Sequence, residues 1–291
     1  MKVLIISGFL GSGKTTFIQN FSKRVDDIAI LENDYAKANI DRDLLKSDNN
    51  VISLEEGCIC CSKKSDFATT VLTISNTVNP QYLVIEPTGV GYLSKVIDNI
   101  RSVQYEQIEM LSPITIVDYY TIDETLKEYG ELFIDQVKNA GHILLSKTEN
   151  VSEESIRAAV KKLEKFTEGK VYTDHYSTFS TEQWEDLLKG YDYSNLSLNT
   201  SSEVSMQSYS YKEVFFNSFQ DVGTVFNAVC SGRFGKLVRA KGFIEVGDKI
   251  VKVDVVQGKF TIERYDGERP EMNIVFLGSD LDKHAFDVLF K

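Results

Sequence analysis

A glycine-rich segment near the start of the chain has the residue types that bind phosphate. Residues 8–15 read G-F-L-G-S-G-K-T, in which Gly8, Gly13, Lys14 and Thr15 fit the pattern G-x-x-x-x-G-K-[ST]. Glycines let backbone N–H groups surround a phosphate, and the helix that follows directs its positive end at it. We expect Lys14 to reach the β- and γ-phosphates and the Thr15 hydroxyl to bind Mg²⁺. The further predicted contacts to the nucleotide are Gly11, Ser12, Gly13 and Thr16.

A carboxylate at the end of a neighbouring strand is expected to assist the metal ion. The apolar run that begins at Tyr82 ends in Glu86, which is followed by Pro-Thr-Gly. Gly89 then stands in a position for its backbone amide to approach the γ-phosphate. Asp118, which ends the run Ile114–Val117, is a second candidate for the same role. The sequence therefore predicts that Glu86, before Asp118, contributes to a Mg²⁺ site.

A later strand ends in residues that are similar to a guanine-reading motif. Residues 146–149 read S-K-T-E, whereas the guanine signature reads N-K-x-D. Ser146 stands in place of the asparagine, and Glu149 replaces the aspartate that accepts hydrogens from the guanine N1–H and N2 amine. Glutamate keeps the paired acceptor but adds a methylene, and the stem of Lys147 can lie along the purine face. We therefore expect a preference for GTP over ATP, in a pocket looser than usual.

Three of the four cysteines lie in one tetrapeptide, within the segment E-E-G-C-I-C-C at residues 55–61. The thiols of Cys58, Cys60 and Cys61 can converge on a soft ion such as Zn²⁺, Cu(I) or Co²⁺ and leave a fourth position open. An open position suits transfer of the ion, whereas a structural zinc site is usually closed by a fourth protein ligand. A redox pair and simple apolar packing are the alternatives. The fourth cysteine, Cys230, lies in an apolar helix-like run and is assigned to the core.

These residues need an α/β framework to bring them together. Apolar strand-like runs alternate with helix-period segments, which predicts a mainly parallel sheet covered on both faces. Ser180 and Gln183 have the spacing of a capping box that opens one more helix. The other predicted helices are Lys14–Val25, Asp66–Val78, Tyr92–Val103, Ile122–Val137 and Glu153–Phe166. The predicted strands are Val3–Ile6, Ile28–Leu31, Tyr82–Ile85, Ile114–Val117, His142–Leu145 and Lys170–Tyr172.

A change of composition divides the chain into two predicted domains. Residues 192–208 are rich in serine and poor in large apolar residues, as is typical of a linker. The linker separates a P-loop domain at residues 1–191 from a smaller α+β domain at residues 209–291. The smaller domain is expected to pack helices on a mainly antiparallel sheet. Its predicted elements are strand Tyr211–Phe216, helix Val222–Val229, strands Leu237–Glu245, Lys249–Val256, Lys259–Arg264 and Ile274–Leu277, and helix Lys283–Phe290.

The composition excludes several classes of partner. The 291 residues include 32 Lys and Arg against 43 Asp and Glu, a net charge of −11. This balance argues against a sequence-independent hold on nucleic acid or anionic lipid, because both need a basic surface. No apolar run approaches the roughly 18–20 residues of a membrane span, and the first six residues are too short for a signal peptide. Clustered thiols favour a reducing compartment. We therefore expect a cytoplasmic protein without membrane or nucleic-acid partners.

In combination, the motifs resemble those of the CobW-like family of P-loop GTPases. The similarity extends over most of residues 1–190 and continues more faintly into the second domain, at R-A-K-G (239–242) and F-L-G (276–278). It implies GTP hydrolysis that drives or gates delivery of a transition metal, or of a metal cofactor, to a client protein. The motifs that carry the resemblance are G-F-L-G-S-G-K-T-T (8–16), C-I-C-C (58–61), E-P-T-G (86–89) and S-K-T-E (146–149).

The resemblance also implies roles for individual residues. Lys14, Thr15 and Glu86 would form the catalytic set, and Lys147 with Glu149 would read the base. The three clustered cysteines, Cys58, Cys60 and Cys61, would bind the cargo ion, which is Zn²⁺ or else Co²⁺, Ni²⁺ or Fe²⁺. The client would be a metalloprotein, either corrinoid-dependent or metal-dependent. The His-rich tails of several members are missing, which favours a single-ion site.

The stretch E-N-D-Y-A-K at residues 32–37 is similar to the family's first switch segment, which is usually closer to E-N-E-F-G-E. Glu32 and Asp34 are therefore additional candidates for a metal ligand, whereas Lys37 stands where a glutamate is expected. The cysteine segment lies between this stretch and Glu86, so loss of the γ-phosphate is expected to move it and release the metal. Two other functions stay open: a nucleotide-gated client-binding module with a structural metal site, and a thiol redox regulator.

Overall fold

The computed structural model describes residues 1–32, 50–53, 64–103, 107–191, 207–256 and 258–291. Residue contacts divide the chain into two compact units, one with the described residues up to 191 and one with those from 207 onward. The predicted cysteine site, Asp34, Lys37 and most of the predicted linker lie outside the described residues. No helix within the described ranges is long and apolar enough to cross a membrane.

The first unit is built on a parallel sheet, as the sequence predicts. Its main strand order is β3-β2-β4-β1-β6-β7-β8, and the short β5 pairs with β1. All of the strand pairs described in this sheet are parallel, so the carboxyl ends of the strands share one edge. The strands are β1 (Lys2–Gly8), β2 (Ile28–Glu32), β3 (Asn50–Ser53), β4 (Tyr82–Glu86), β5 (Glu109–Met110), β6 (Ile114–Asp118), β7 (His142–Ser146) and β8 (Lys170–Tyr172).

Helices cover both faces of this sheet. Alternate residues of β1 separate two apolar clusters: Val3 and Ile5 pack with residues of α2 to α5, and Leu4 and Ile6 pack with aromatic residues of α1 and α6. Several helices end earlier than predicted; α1 stops at Ser22 and α5 at Leu163. The helices are α1 (Lys14–Ser22), α2 (Lys64–Thr77), α3 (Leu93–Arg101), α4 (Ile122–Lys138), α5 (Glu153–Leu163) and α6 (Thr181–Leu187).

The predicted capping box opens α6. The hydroxyl of Ser180 accepts a hydrogen bond from the Gln183 main-chain nitrogen at 3.3 Å. The Gln183 side-chain oxygen in turn accepts from the Ser180 nitrogen at 2.8 Å. These reciprocal bonds satisfy two donors at the start of the helix, and Trp184 in its first turn packs into the core.

The second unit is a mainly antiparallel sheet with two helices, again as predicted. Its strand order is β13-β12-β11-β14-β9, and β10 pairs in parallel with β11. An apolar cluster that includes Phe226, Phe276, Phe286 and Phe290 joins the helices to the sheet. The elements are β9 (Gln207–Lys212), β10 (Phe215–Phe216), α7 (Phe219–Cys230), β11 (Lys236–Val246), β12 (Lys249–Val256), β13 (Lys259–Arg264), β14 (Asn273–Ser279) and α8 (Lys283–Phe290).

Two details of the second unit differ from the prediction. The single strand expected over Tyr211–Phe216 is two strands, because Glu213 between them adopts a left-handed φ of 54° that interrupts extended pairing. Strand β9 begins at Gln207, so the last two residues expected in the linker belong to the sheet. Cys230 packs against the apolar cluster at the end of α7, where burial raises the pKa of its thiol.

Candidate functional site

The phosphate-binding motif lies at the carboxyl edge of the parallel sheet, between β1 and α1. Gly13 caps α1 with a left-handed φ of 107°, a conformation that L side chains rarely adopt. A Cβ added at Gly13 would have no other heavy atom within 4 Å, so the space above this turn is open. Glycine also brings no capping side chain, and the first N–H groups of α1 are therefore not covered by one. This loop has the shape and polarity that suit a phosphate.

Lys14 is held over the loop by main-chain oxygens. Its ammonium donates to the carbonyls of Gly8 at 3.1 Å and Phe9 at 3.3 Å, although its side chain is largely buried. The same nitrogen lies 3.9 Å from a carboxylate oxygen of Glu86. Burial of a charged group is tolerated only where such partners compensate for lost water. Lys14 is thus placed as an oriented cation at the phosphate loop.

Thr15 and Glu86 come together, as the sequence predicts for a Mg²⁺ site. The Thr15 hydroxyl lies 3.4 and 3.5 Å from the two carboxylate oxygens of Glu86, at the end of β4. Glu32 ends β2 directly opposite Glu86 in the parallel register. One hydroxyl and two carboxylates on adjacent positions are hard oxygen donors of the kind that Mg²⁺ prefers. The chemistry of these residues therefore fits a Mg²⁺ ion.

Asp118, the second candidate for a metal-binding carboxylate, is engaged by two protein donors. One of its carboxylate oxygens accepts from the Lys147 ammonium at 2.6 Å, and the other accepts from the main-chain nitrogen of Tyr120 at 2.9 Å. The side chain of Asp118 is buried, whereas Lys147 is about half exposed. Lys147 also adopts a left-handed φ of 60°, which is unusual for a residue with a side chain. Asp118 therefore orients Lys147, a residue of the predicted base-reading motif S-K-T-E at residues 146–149.

Ser146 links the base-reading motif to the phosphate loop. Its hydroxyl lies 2.8 Å from the main-chain oxygen of Ser12 and 3.2 Å from that of Val117. The fourth residue of this motif, Glu149, is exposed to solvent. Burial, and to a smaller extent the charge of Glu149, raise the pKa of the Tyr176 hydroxyl. The two motifs that the sequence assigns to base and phosphate thus lie at one edge and are joined by a hydrogen bond.

The loop that follows Glu86 packs directly on the phosphate loop. A Cβ added at Gly89 would lie 2.7 Å from the main-chain nitrogen of Leu10, so only glycine permits this approach. The buried residue Gln136, on α4, donates hydrogen bonds to this same loop. Gln136 could not be found from the sequence, because a glutamine on an amphipathic helix carries no signal of its own.

The metal-binding part of the prediction rests on sequence alone. Within the ranges that the structure describes, no three His, Cys, Asp or Glu side chains form a group able to hold a metal ion. Cys58, Cys60, Cys61 and Asp34 all lie outside those ranges. Strand β3 ends at Ser53, five positions before Cys58.

The fold and this site define a P-loop nucleotide-binding protein: a phosphate loop between the first strand and first helix of a parallel sheet, with a threonine and a carboxylate beside it. The chain belongs to the CobW/HypB/UreG family. Residues 2–173 match the family's nucleotide-binding domain, and residues 214–291 match the cobalamin synthesis protein CobW C-terminal domain. The resemblance noted in the motifs is therefore confirmed over both units.

Several characterised proteins are similar to this chain. The zinc chaperone YeiR of Escherichia coli is 30% identical over 159 residues, which are 53% of this chain and 48% of that protein. The zinc-regulated GTPase metalloprotein activator 1 of Dictyostelium discoideum is 28% identical over 202 residues, and the match covers 54% of this chain and 42% of that protein. The chain thus spans about half the length of the relatives it matches. The Zn(II)-bound structure of the E. coli YjiA GTPase is 20% identical, covers 100% of this chain and 99% of that one, and has a TM-score of 0.48.

Proposed function

We propose that this protein is a GTP-hydrolysing metallochaperone. It binds a transition metal through Cys58, Cys60 and Cys61 and delivers the ion, or a metal cofactor, to a client metalloprotein. The nucleotide state sets its affinity for the metal. The observation that carries the proposal is the arrangement of Lys14, Thr15 and Glu86 at the phosphate loop, beside the strands that lead to the cysteine segment.

In the proposed reaction, the residues of the site bind and orient GTP for attack by water. Lys14 would hold the β- and γ-phosphate oxygens, while Thr15 and Glu86, with Glu32 beside them, would hold Mg²⁺. A bound Mg²⁺ would supply positive charge against the negative charge that develops during phosphoryl transfer. Ser146, Lys147 and Glu149 hold the guanine. The described residues include no arginine assigned to the transferred phosphate, and we expect intrinsic turnover to be slow.

Strand register supports a coupling between the nucleotide and the cysteines. Ser53, Glu32 and Glu86 occupy one row across the adjacent strands β3, β2 and β4. Neighbouring strands lie about 4.8 Å apart, so Ser53 is roughly 10 Å from Glu86. The cysteine segment begins a few residues after Ser53. We therefore expect that movement of the chain around Glu86, on loss of the γ-phosphate, is transmitted through β2 and β3 to the cysteine segment that follows in the sequence.

Relatives of the chain support zinc as the first metal to test. The names of the matched proteins from E. coli and D. discoideum describe a zinc chaperone and a zinc-regulated GTPase activator of metalloproteins. Three thiolates with an open fourth position also suit zinc, and they suit Co²⁺ as a spectroscopic substitute. Ni²⁺ and Fe²⁺ remain further cargo ions in the proposal. The client is expected to be a metalloprotein that accepts the released ion.

The experiment is a chelator-competition titration of Zn²⁺ and Co²⁺ into the reduced protein. It is run with Mg²⁺ and a non-hydrolysable GTP analogue, and again with Mg²⁺ and GDP. We expect metal affinity to differ at least tenfold between the two nucleotides, equivalent to about 1.4 kcal/mol of coupling. The Cys60→Ser variant should lose this binding, whereas Cys230→Ser, which changes the cysteine of α7, should keep it.

Other outcomes would contradict the proposal in distinguishable ways. Equal metal affinity with both nucleotides would make the thiols a structural site in a client-docking module, because a ligand without differential affinity shifts no equilibrium. Absence of metal binding would favour a redox role for the thiols. Failure of a Lys14→Ala control to reduce GTP hydrolysis would place the hydrolytic activity outside the phosphate loop.

A further inference from the structure

A buried glutamine on α4 holds the turn that follows Glu86. The side-chain nitrogen of Gln136 donates to the main-chain oxygens of Gly91 at 3.0 Å and Gly89 at 3.2 Å. Gln136 is only 1% exposed, so water does not compete for these bonds. The turn itself is closed by a hydrogen bond of 2.9 Å from the Gly91 nitrogen to the Thr88 oxygen. Both hydrogens of one buried amide are therefore used to fix the carbonyls of this turn.

The same helix holds the next segment of the chain and is itself fixed to the sheet. Asp135, the neighbour of Gln136, accepts a hydrogen bond of 3.1 Å from the main-chain nitrogen of Ser94 in the first turn of α3. Burial raises the pKa of the Asp135 carboxyl, against hydrogen bonds from Ser94 that lower it. The Thr115 hydroxyl of β6 donates to the main-chain oxygen of Gln136 at 2.7 Å. Gln136 is thus a fixed point between the sheet and the turn.

Helix α4 also touches the phosphate loop. The ring of Tyr129 packs on that of Phe9 with centroids 4.9 Å apart. Tyr129 has φ −132° and ψ 36°, which interrupts the regular helix at this contact. The phosphate loop and the turn Thr88–Gly91 touch each other through Leu10 and Gly89. One helix therefore contacts both loops of the nucleotide site, the phosphate loop at its irregular residue Tyr129 and the turn Thr88–Gly91 through Gln136.

We propose that Gln136 is a positioning residue for discrimination between GTP and GDP. It holds the turn Thr88–Gly91 in the conformation that receives the γ-phosphate. GTP therefore binds more tightly because the turn is already ordered, whereas GDP has no γ-phosphate and its affinity does not depend on the turn. This inference rests on the proposed function, in which Gly89 faces the γ-phosphate. It adds a specificity-determining residue that no phosphate-binding or base-reading motif contains.

The test compares Gln136→Leu with the matched control Thr115→Val. The leucine removes both hydrogen bonds to the turn, whereas the valine removes a buried hydrogen bond to the same residue without touching the turn. Dissociation constants are measured for fluorescent GDP and for a fluorescent non-hydrolysable GTP analogue, each with Mg²⁺. We expect Gln136→Leu to weaken the analogue about tenfold, as for loss of two neutral hydrogen bonds, and GDP less than about twofold. Thr115→Val should leave the ratio of the two constants unchanged.

The results separate this inference from the proposed function. An unchanged ratio in Gln136→Leu, or an equal loss for both nucleotides, would overturn the inference alone. Wild-type protein that binds neither nucleotide would overturn the proposed function as well. If Gln136→Leu does not fold, amide hydrogen exchange of the wild-type protein with each nucleotide tests the inference instead. Exchange over residues 132–138 should slow at least about threefold when the analogue replaces GDP, and equal exchange would overturn the inference.

Discussion

Replacing Ser146 with alanine is expected to weaken every ligand that spans the base-reading motif and the phosphate loop. The Ser146 hydroxyl lies 2.8 Å from the Ser12 oxygen and 3.2 Å from the Val117 oxygen. A hydroxyl has one hydrogen to donate, and the shorter distance favours Ser12 as its acceptor. The variant therefore removes a direct link between the end of β7 and the phosphate loop.

The size of the effect follows from the chemistry and burial of this link. A neutral hydrogen bond contributes a net ~0.5–1.5 kcal/mol. Ser146 is only half-buried, so water replaces part of the lost interaction. The lower part of that range, about 0.6–1.0 kcal/mol, corresponds to a roughly three- to fivefold rise in dissociation constant. Without the link, a smaller fraction of molecules holds both motifs at the spacing that a nucleotide needs.

The assay titrates GDP and inorganic tripolyphosphate into the wild-type protein and the variant by calorimetry. The dissociation constant for GDP should rise roughly three- to fivefold. The constant for tripolyphosphate, which needs only the phosphate loop, should stay the same. Thr148→Val is the matched control, because the Thr148 hydroxyl donates to the Thr173 oxygen at 3.4 Å and does not touch the phosphate loop. Equal weakening of GDP and tripolyphosphate, or an equal effect of the control, would refute the reasoning.

Three other positions test further contacts of the first unit. Gly89→Ala should destabilise it by about 1–3 kcal/mol, because the added Cβ would lie 2.7 Å from the Leu10 nitrogen; an unchanged melting temperature would contradict that contact. Glu149→Ala should lower the affinity for GTP roughly 10- to 150-fold, because a charged hydrogen-bond acceptor is lost, and should leave the affinity for ATP unchanged. A competition assay with both nucleotides checks this, and an equal loss of affinity for GTP and ATP would show that Glu149 does not read the base. Asp186→Asn should lower the free energy of unfolding at pH 7. Hydrogen bonds from Lys170 and two other donors hold the pKa of Asp186 well below its usual range, so this stabilisation is present above the unfolded pKa of about 3.9 and is lost as pH falls towards the folded pKa. Urea titrations between pH 7 and pH 3 measure the free energy of unfolding of both proteins. A difference between variant and wild type that stayed constant over this range would contradict the prediction.

The order of the main strands and helices could be predicted because buried parallel strands are continuous apolar runs. Val3–Ile6 and Ile114–Val117 are of this kind, and both lie inside the strands of the structure. Strand β3 could not be found in this way, because Asn50–Ser53 has only two apolar residues and no period to read. Strand β5 has two residues and exists only through its pairing with β1.

The phosphate loop could be predicted because all of its residues are contiguous in the sequence, so the spacing of its glycines, lysine and threonine determines the local geometry. The bonds from Gln136 could not, since they join residues 45 and 47 positions apart on a helix and a turn. Asp118 is a second candidate for the metal for a related reason. The sequence places it at the end of a strand, but it does not contain the 2.6 Å contact to Lys147, 29 positions away, that occupies its carboxylate.

The two proposals constrain each other through thermodynamic linkage. If GTP and GDP set different affinities for the metal, the metal must change the ratio of their affinities by the same factor. Gln136 is proposed to act on that ratio through the turn at Gly89. The proposed metal site follows Ser53 in the sequence, and Ser53 shares a row with Glu32 and Glu86. In Gln136→Leu, therefore, the effect of nucleotide on zinc affinity and the effect of zinc on nucleotide preference must change by the same factor. If only one of them changed, linkage would be violated, which would show that one of the two titrations had not reached equilibrium.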